Sequence, residues 1–218
     1  MQRIPLHKAL SAAAQAAEEQ PEVSESVHTE AELAAILADA RGERWEAPFI
    51  LSAFGGMRRE EAFGAQWGDI CFQDGYAVVR VQRGAQNAKG GVRIVKLKTE
   101  GSYREAVIPM PYAQRLREIS FERLGDTWVC EGDDCEPLNP DLMSAAYKRW
   151  HFGKPHRYVP WMNLRNSYAT MLHAKGVDLG TVAKLLGHAT PTVTFQHYDR
   201  MSAEQLASVV SVLGNPSE

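Results

Sequence analysis

The stretch 176–198, GVDLGTVAKLLGHATPTVTFQHY, decides how the rest of the chain is read. Val182, Leu185 and Leu186 recur at helical spacing and stop at Gly187, where a glycine suits the left-handed residue that ends a helix. Thr190 and Pro191 then stand as N-cap and first position of a brief second helix that ends near Tyr198. His188 therefore falls in a turn between two helices, with a tyrosine hydroxyl one short helix further on. Upstream, Leu164, Tyr168, Met171 and Leu172 mark a helix that closes at Gly176, and downstream Leu206, Val209, Val210 and Leu213 mark a last amphipathic one.

Working outward, the texture changes between Tyr76 and Pro109. YAVVRVQ, VRIVKLK and REAVIPM are strand-like and are separated by Gly84, by Gly90 and Gly91, and by Glu100 and Gly101, which predicts a small antiparallel sheet. Helices are expected at Tyr112–Arg123 and Asp141–Trp150, with a short strand at Thr127–Cys130. Ahead of the sheet, Thr29 and Glu32 form a capping box before Leu33, Ile36 and Leu37. A second helix covers roughly 43–53, Gly55 and Gly56 break it, and RREEAFGAQW opens a third. The pattern describes a mainly helical α+β domain over 29–218, preceded by a short helix and linker at 1–28.

A chain of 218 residues, 44% apolar and 23% charged, is long enough to bury one core. No stretch approaches the ~18 apolar residues that span a bilayer, and the first residues lack a secretion signal, so a soluble cytoplasmic protein without a membrane partner is expected. Cys71, Cys130 and Cys135 read as free thiols, and the intervening EGDD as a solvated loop rather than an ion site. The net charge of −3 by itself argues against a DNA partner, but its distribution is uneven. Acidic residues crowd the N-terminal part, whereas Lys148, Arg149, Lys154, Arg157, Arg165, Lys175, Lys184 and Arg200 meet only Asp178 and Asp199.

Four pieces, each weak alone, carry the chemistry. In GGMRREEA, Arg58 and Glu61 lie one helical turn apart, so the carboxylate can orient the guanidinium. KLKTEGSYREAVIP places Lys98 on a strand just before a turn, LRNSYAT places Arg165 beside an apolar Leu164, and LLGHATPTVTFQHY supplies His188 and Tyr198. In this order they resemble the tyrosine recombinases, the phage integrases and their relatives. That family pairs an arginine with a carboxylate three residues on, then has a hairpin lysine, a His-x-x-Arg helix, a Leu-Gly-His turn and a tyrosine. Arg58, Glu61, Lys98, Arg165, His188 and Tyr198 match it, and the similarity runs from about Thr29 to the last helix.

The resemblance implies the fold of that catalytic domain and a site-specific recombinase or integrase of double-stranded DNA, of the kind carried by phages and mobile elements. Tyr198 would attack a backbone phosphate to leave a 3′-phosphotyrosine, and Lys98 would protonate the leaving 5′ oxygen. Physical chemistry agrees, because two arginine forks suit the charge that builds on the non-bridging oxygens, and the cations Arg58, Arg165 and His188 favour the phenolate. No metal or other cofactor is expected, since neither a phosphate-binding glycine loop nor a metal-spaced cluster occurs. The DNA-facing surface is expected to include Arg80, Arg83, Lys89, Arg93, Lys96 and Arg104, with Arg157 and Trp161 from 148–165.

The chain departs from the family pattern in two respects. Met162 stands where the histidine of His-x-x-Arg belongs, and a thioether has no proton to exchange; His156 and His197 are possible stand-ins, and Asn166 replaces a further common histidine. A separate helical domain usually precedes the catalytic one, so 1–28 corresponds to a linker or to a remnant of that core-binding region. The stripe on the last helix is expected to dock on a neighbouring subunit on DNA, or to fold back on its own domain. Two other readings stay open, a type IB topoisomerase-like enzyme and a DNA-binding regulator weakened by Met162.

Overall fold

A computed structural model of the chain describes residues 26–97, 102–121, 125–187 and 202–214. Lys98, His188, His197 and Tyr198, with the helix expected at 190–198, lie outside the described residues. α1 (Glu30–Asp39) starts from the expected capping box: the Glu32 amide donates to Thr29 Oγ1 at 3.2 Å, and the Thr29 amide donates to Glu32 Oε2 at 2.8 Å. α2 (Glu46–Gly55), EAPFILSAFG, is buried on every side, as befits a central helix with no polar face. Gly56 ends it in the left-handed conformation at φ 62°, and α3 (Arg59–Phe63) follows after two residues.

The strands are β1 (Ile70–Phe72), β2 (Tyr76–Val81), β3 (Arg83–Ala88), β4 (Gly91–Lys96) and β5 (Arg104–Pro109). They form two antiparallel sheets, not one: a three-stranded sheet in the order β1-β2-β5, and a separate β3–β4 hairpin. β2 pairs with β5 from Tyr76↔Pro109 to Val81↔Arg104, while β3 pairs with β4 from Arg83↔Lys96 to Ala88↔Gly91. RGAQNA has neither β-branched nor aromatic residues, so its strand depends on pairing with GVRIVK rather than on local preference. At the expected strand 127–130 only an isolated bridge forms, between Gln66 and Trp128.

The remaining helices are α4 (Tyr112–Ile119), α5 (Pro140–Trp150), α6 (Leu164–Ala174), α7 (Leu179–Leu186) and α8 (Ala203–Val210). Asn139 caps α5 through the amides of Asp141 and Leu142, and Asp178 caps α7 through those of Gly180 and Thr181. α2 packs against α3, α6 and β5. Around it Trp45, Tyr147 and Trp161 meet edge to face, with ring centroids 5.1 Å apart for Trp45–Tyr147 and 5.2 Å for Tyr147–Trp161. Each such pair adds about 0.5–1.5 kcal/mol beyond its buried area. Trp161 also donates from Nε1 to Ser52 Oγ at 3.2 Å, which fixes the entry to α6.

Residues 26–28, expected in the linker, pack onto α6. The His28 amide donates to Ser167 Oγ at 2.9 Å, Asn163 Nδ2 donates to the Ser26 carbonyl at 3.0 Å, and the His28 side chain is fully buried. At the other end, Leu206, Val210 and Leu213 are buried where α8 lies against β5 of its own domain. Of the two placements expected for this stripe, the described residues show the one against its own domain. Lys175 Nζ holds the Val212 carbonyl at 2.6 Å and Glu30 accepts from the Gly214 amide, so the segment after α8 is tied to α1 and α6. Among the described residues, no helix is long and apolar enough to cross a membrane.

Gly56 admits no side chain. A Cβ there would lie 2.7 Å from Tyr168 Cδ1 and 3.0 Å from Leu186 Cδ2, on a backbone that L residues avoid. Gly56→Ala is expected to lower the unfolding free energy by about 1–3 kcal/mol, read as a lower urea midpoint at unchanged slope.

Candidate active site

Arg58 stands at the N-cap of α3 and Glu61 at its third residue, and the spacing does what the sequence suggests. Glu61 Oε2 accepts from the Arg58 amide at 2.8 Å, and Oε1 accepts from Arg58 Nη1 at 2.7 Å. The carboxylate is buried, with its side chain 3% exposed, whereas the Arg58 side chain is 39% exposed. Arg165, in the first turn of α6, donates from Nη1 to the Gly56 carbonyl at 2.8 Å and from Nη2 to the Leu186 carbonyl at 2.6 Å. The turn after α2 and the C-terminus of α7 thus meet on one guanidinium. α7 ends at Gly187, φ 66°, immediately before His188.

A third arginine completes the cluster. Arg104, which the sequence assigns to the DNA-facing strand surface, is instead turned inward, with its side chain 7% exposed. Its Nη2 donates to Glu61 Oε2 at 3.0 Å and to the Gly56 carbonyl at 3.3 Å, and its Nε donates to the Leu185 carbonyl at 3.2 Å. The physical reason is strand alternation: Arg104 shares a face of β5 with the buried Ala106 and Ile108.

Electrostatics follow from the crowding. Burial alone would raise the pKa of Glu61, but Arg104 and Arg58 outweigh it and hold the carboxyl below its usual range. Burial, with the adjacent cations of Arg104 and Arg58, lowers the Arg165 pKa to about 9, so it remains a cation at neutral pH. Three guanidiniums around one carboxylate leave a surplus of positive charge that suits an anion. A cleft of about 480 Å³ opens beside it between α3 and the β3–β4 hairpin, lined among others by Arg58, Glu61, Lys96, Leu97 and Ser102. Leu97 and Ser102 border the segment that carries Lys98.

Other expected site residues fall in different places. Trp161 is corrected from a DNA contact to a core residue, 3% exposed among aromatic rings. Arg157 is bound to Glu32 at 2.9 Å and to the Val27 carbonyl at 2.5 Å, so it fastens residues 26–28 rather than presenting a free cation. Arg83 is held by the buried Asp69 at 2.5 Å, and Arg80 donates to the Gly68 carbonyl at 2.9 Å. Lys89, Arg93 and Lys96 are exposed on the hairpin. Met162 is 74% exposed, one turn before Arg165. His156 is no substitute for it, being stacked on Trp150 and bound to Asp39 at 3.0 Å. The three cysteines are free, with Cys130 buried.

The sequence profile of the phage integrase family matches residues 27–205, and the chain belongs to that family. It is 26% identical over 223 residues to a tyrosine recombinase XerC-like protein of Caldanaerobacter subterraneus subsp. tengcongensis, a match covering 91% of this chain and 56% of the relative. It is 26% identical over 166 residues to tyrosine recombinase XerA of Pyrococcus furiosus, covering 74% and 52%. The chain thus spans little more than half the length of these relatives. Its fold is that of the Tn1549 transposon integrase solved with circular intermediate DNA, with TM-score 0.64, 16% identity, and coverage of 89% of this chain and 68% of that one. It also matches a XerA recombinase structure, with TM-score 0.59, 15% identity and coverage of 91% and 67%.

Glu61→Gln leaves Arg104 buried without its counter-charge and is expected to destabilise the fold by about 3 kcal/mol at neutral pH. Because the folded pKa of Glu61 is depressed, its contribution is complete above the unfolded value near 4.5 and is lost as pH falls through the lower folded value. Denaturation of both proteins across the acid range should therefore show the difference shrinking towards low pH; a constant gap would refute the ion-pair account.

Proposed function

We propose that this chain is the catalytic part of a site-specific DNA recombinase that cuts and rejoins duplex DNA through a transient 3′-phosphotyrosine. One observation carries the reading: Arg58, which lines the cleft, and Arg165 converge beside a buried carboxylate, and each keeps side-chain N–H donors without a partner among the described residues. Guanidinium forks held in this way fit the non-bridging oxygens of a phosphodiester, whose charge increases in the five-coordinate transition state. Family membership and the DNA complexes of structural neighbours such as the Tn1549 integrase support DNA as the partner.

In this reading the Tyr198 oxygen attacks phosphorus, the bond from phosphorus to the 5′ oxygen breaks, and Lys98 gives that oxygen its proton. His188 binds the phosphate beside the arginines. The Tyr198 proton passes to water, since the exposed Met162 cannot accept it. The phosphotyrosine conserves the bond energy, and a 5′-hydroxyl reverses the step, so no metal or nucleotide is needed. Exposed Lys89, Arg93 and Lys96 on the hairpin meet the DNA backbone. The protein works on cytoplasmic DNA. Self-association through α8 would require it to leave β5, because Leu206, Val210 and Leu213 are buried there.

Incubation with a nicked, end-labelled duplex carrying an attachment-type site is expected to trap a covalent adduct that disappears in Tyr198→Phe. Arg165→Lys, which keeps the charge but not the fork, is expected to slow adduct formation by roughly 100- to 1,000-fold. Exchange of strands between two duplexes separates a recombinase from a topoisomerase-like enzyme, and retention of DNA without adduct would replace both with a regulator.

A further inference from the structure

Arg104 differs from its two neighbours in how its donors are used. An arginine has five N–H donors. Those of Arg104 reach the Leu185 carbonyl from Nε, the Ser102 carbonyl at 3.3 Å from Nη1, and both the Gly56 carbonyl and Glu61 Oε2 from Nη2. Four are thereby engaged, in a side chain 7% exposed. Little remains with which to hold a phosphate. Arg58, by contrast, makes one side-chain bond among the described residues and is far more open.

The partners of Arg104 are also not independent of the other arginines. Glu61 Oε2 binds Arg104 while Oε1 binds Arg58. The Gly56 carbonyl accepts from both Arg104 and Arg165. The Leu185 carbonyl binds Arg104, and the next carbonyl, of Leu186, binds Arg165. The Ser102 carbonyl lies just beyond the segment that carries Lys98. One buried cation therefore touches the support of each arginine and the return end of the lysine turn.

We propose that Arg104 is a positioning residue that makes no contact with DNA and fixes the orientation of Arg58 and Arg165 by holding Glu61, the Gly56 turn and the end of α7 in one frame. This rests on the reading of Arg58 and Arg165 as the phosphate-binding pair. The cations facing Glu61 are Arg58 from the start of α3, Arg104 from β5 and Arg165 from α6. Loss of Arg104 thus removes the bond to Oε2 and the largest of the attractions that stabilise the ionised carboxyl.

The test compares the full chain with Arg104→Gln and Arg104→Lys by three readouts: adduct formation at saturating nicked duplex, duplex affinity as a function of salt, and NMR of the Glu61 carboxyl and the Arg58 and Arg165 Nε–H groups. In Arg104→Gln the adduct rate is expected to fall by roughly 10- to 100-fold with unchanged affinity and salt slope. The Glu61 carboxyl should titrate at higher pH, the acid limb of the rate should move up with it, and both Nε–H resonances should shift. Arg104→Lys should restore the carboxyl titration more fully than the rate, because an ammonium cannot bridge Glu61, Gly56 and Leu185 together. Should the glutamine variant not fold, the lysine variant carries the same comparison.

An unchanged rate, or a loss confined to affinity with a shallower salt slope, would overturn the proposal, the latter by making Arg104 a DNA contact. If the unsubstituted chain forms no adduct, the recombinase reading fails instead. The NMR arm then decides the positioning role alone: unmoved Nε–H resonances and an unmoved carboxyl titration overturn it.

Discussion

The arrangement of the site depends on one buried carboxylate. Glu61 is almost inaccessible to water, so its ionised form persists only because guanidinium donors surround it. Once ionised, it constrains them in turn. Arg58 is anchored on the helix that carries Glu61, Arg104 arrives from a strand distant in sequence, and Arg165 arrives from α6 by way of the Gly56 carbonyl. A single charge thereby draws three parts of the chain together. The same charge neutralises only one of the three cations, and the remainder is the electrostatic basis for receiving an anion. The chain's overall charge of −3 gives no hint of this, because what a substrate meets is the local field.

Rigidity comes from the other side of α2. Trp161 sits at the entry to α6, packed edge-on against Trp45 and Tyr147 and hydrogen bonded to Ser52 of α2. The first turn of α6, from which Arg165 projects, starts three residues later. Residues 26–28 add a second clamp through Ser167 and Asn163, two side chains that bracket Arg165 in sequence. The guanidinium is therefore held at its base by core packing and at its tip by two carbonyls. Such double restraint is how a flexible arginine acquires a fixed direction before any substrate is present.

Much of this was legible in the sequence, and the exceptions have physical causes. Helices with a strong apolar stripe or a defined cap were placed closely: the Thr29 box and the glycine that ends α7. The pairing of Arg58 with Glu61 followed from helical spacing. The strands were harder, because RGAQNA has no intrinsic strand preference and its order comes from its partner. Division into two sheets depends on which strand β2 selects, a long-range choice without a local signature. Trp161 and Arg104 lie in stretches whose composition suggests exposure, but their burial is set by partners far away in sequence: the Trp45 cluster for Trp161 and Glu61 for Arg104. Arg157 stays at the surface, paired with Glu32.

β5 links these observations. It begins with Arg104 and continues through Ala106 and Ile108, against which Gly55 fits so closely that a Cβ there would meet Ile108 Cδ1 at 2.3 Å. It pairs with β2 along one edge, and α2, α4, α7 and α8 all pack on it. A strand contacted by so many elements has little freedom to slide, since a shift of one residue would turn Arg104 outward and drive Glu105 into the core. α8 covers this strand with Leu206 and Val210, so the last described helix and the arginine cluster share one support. Any rearrangement that lifts α8 away uncovers apolar surface on the strand that begins with Arg104. α8 and the cationic cluster thus rest on the same six-residue strand, α8 against its apolar side chains and the cluster at its first residue.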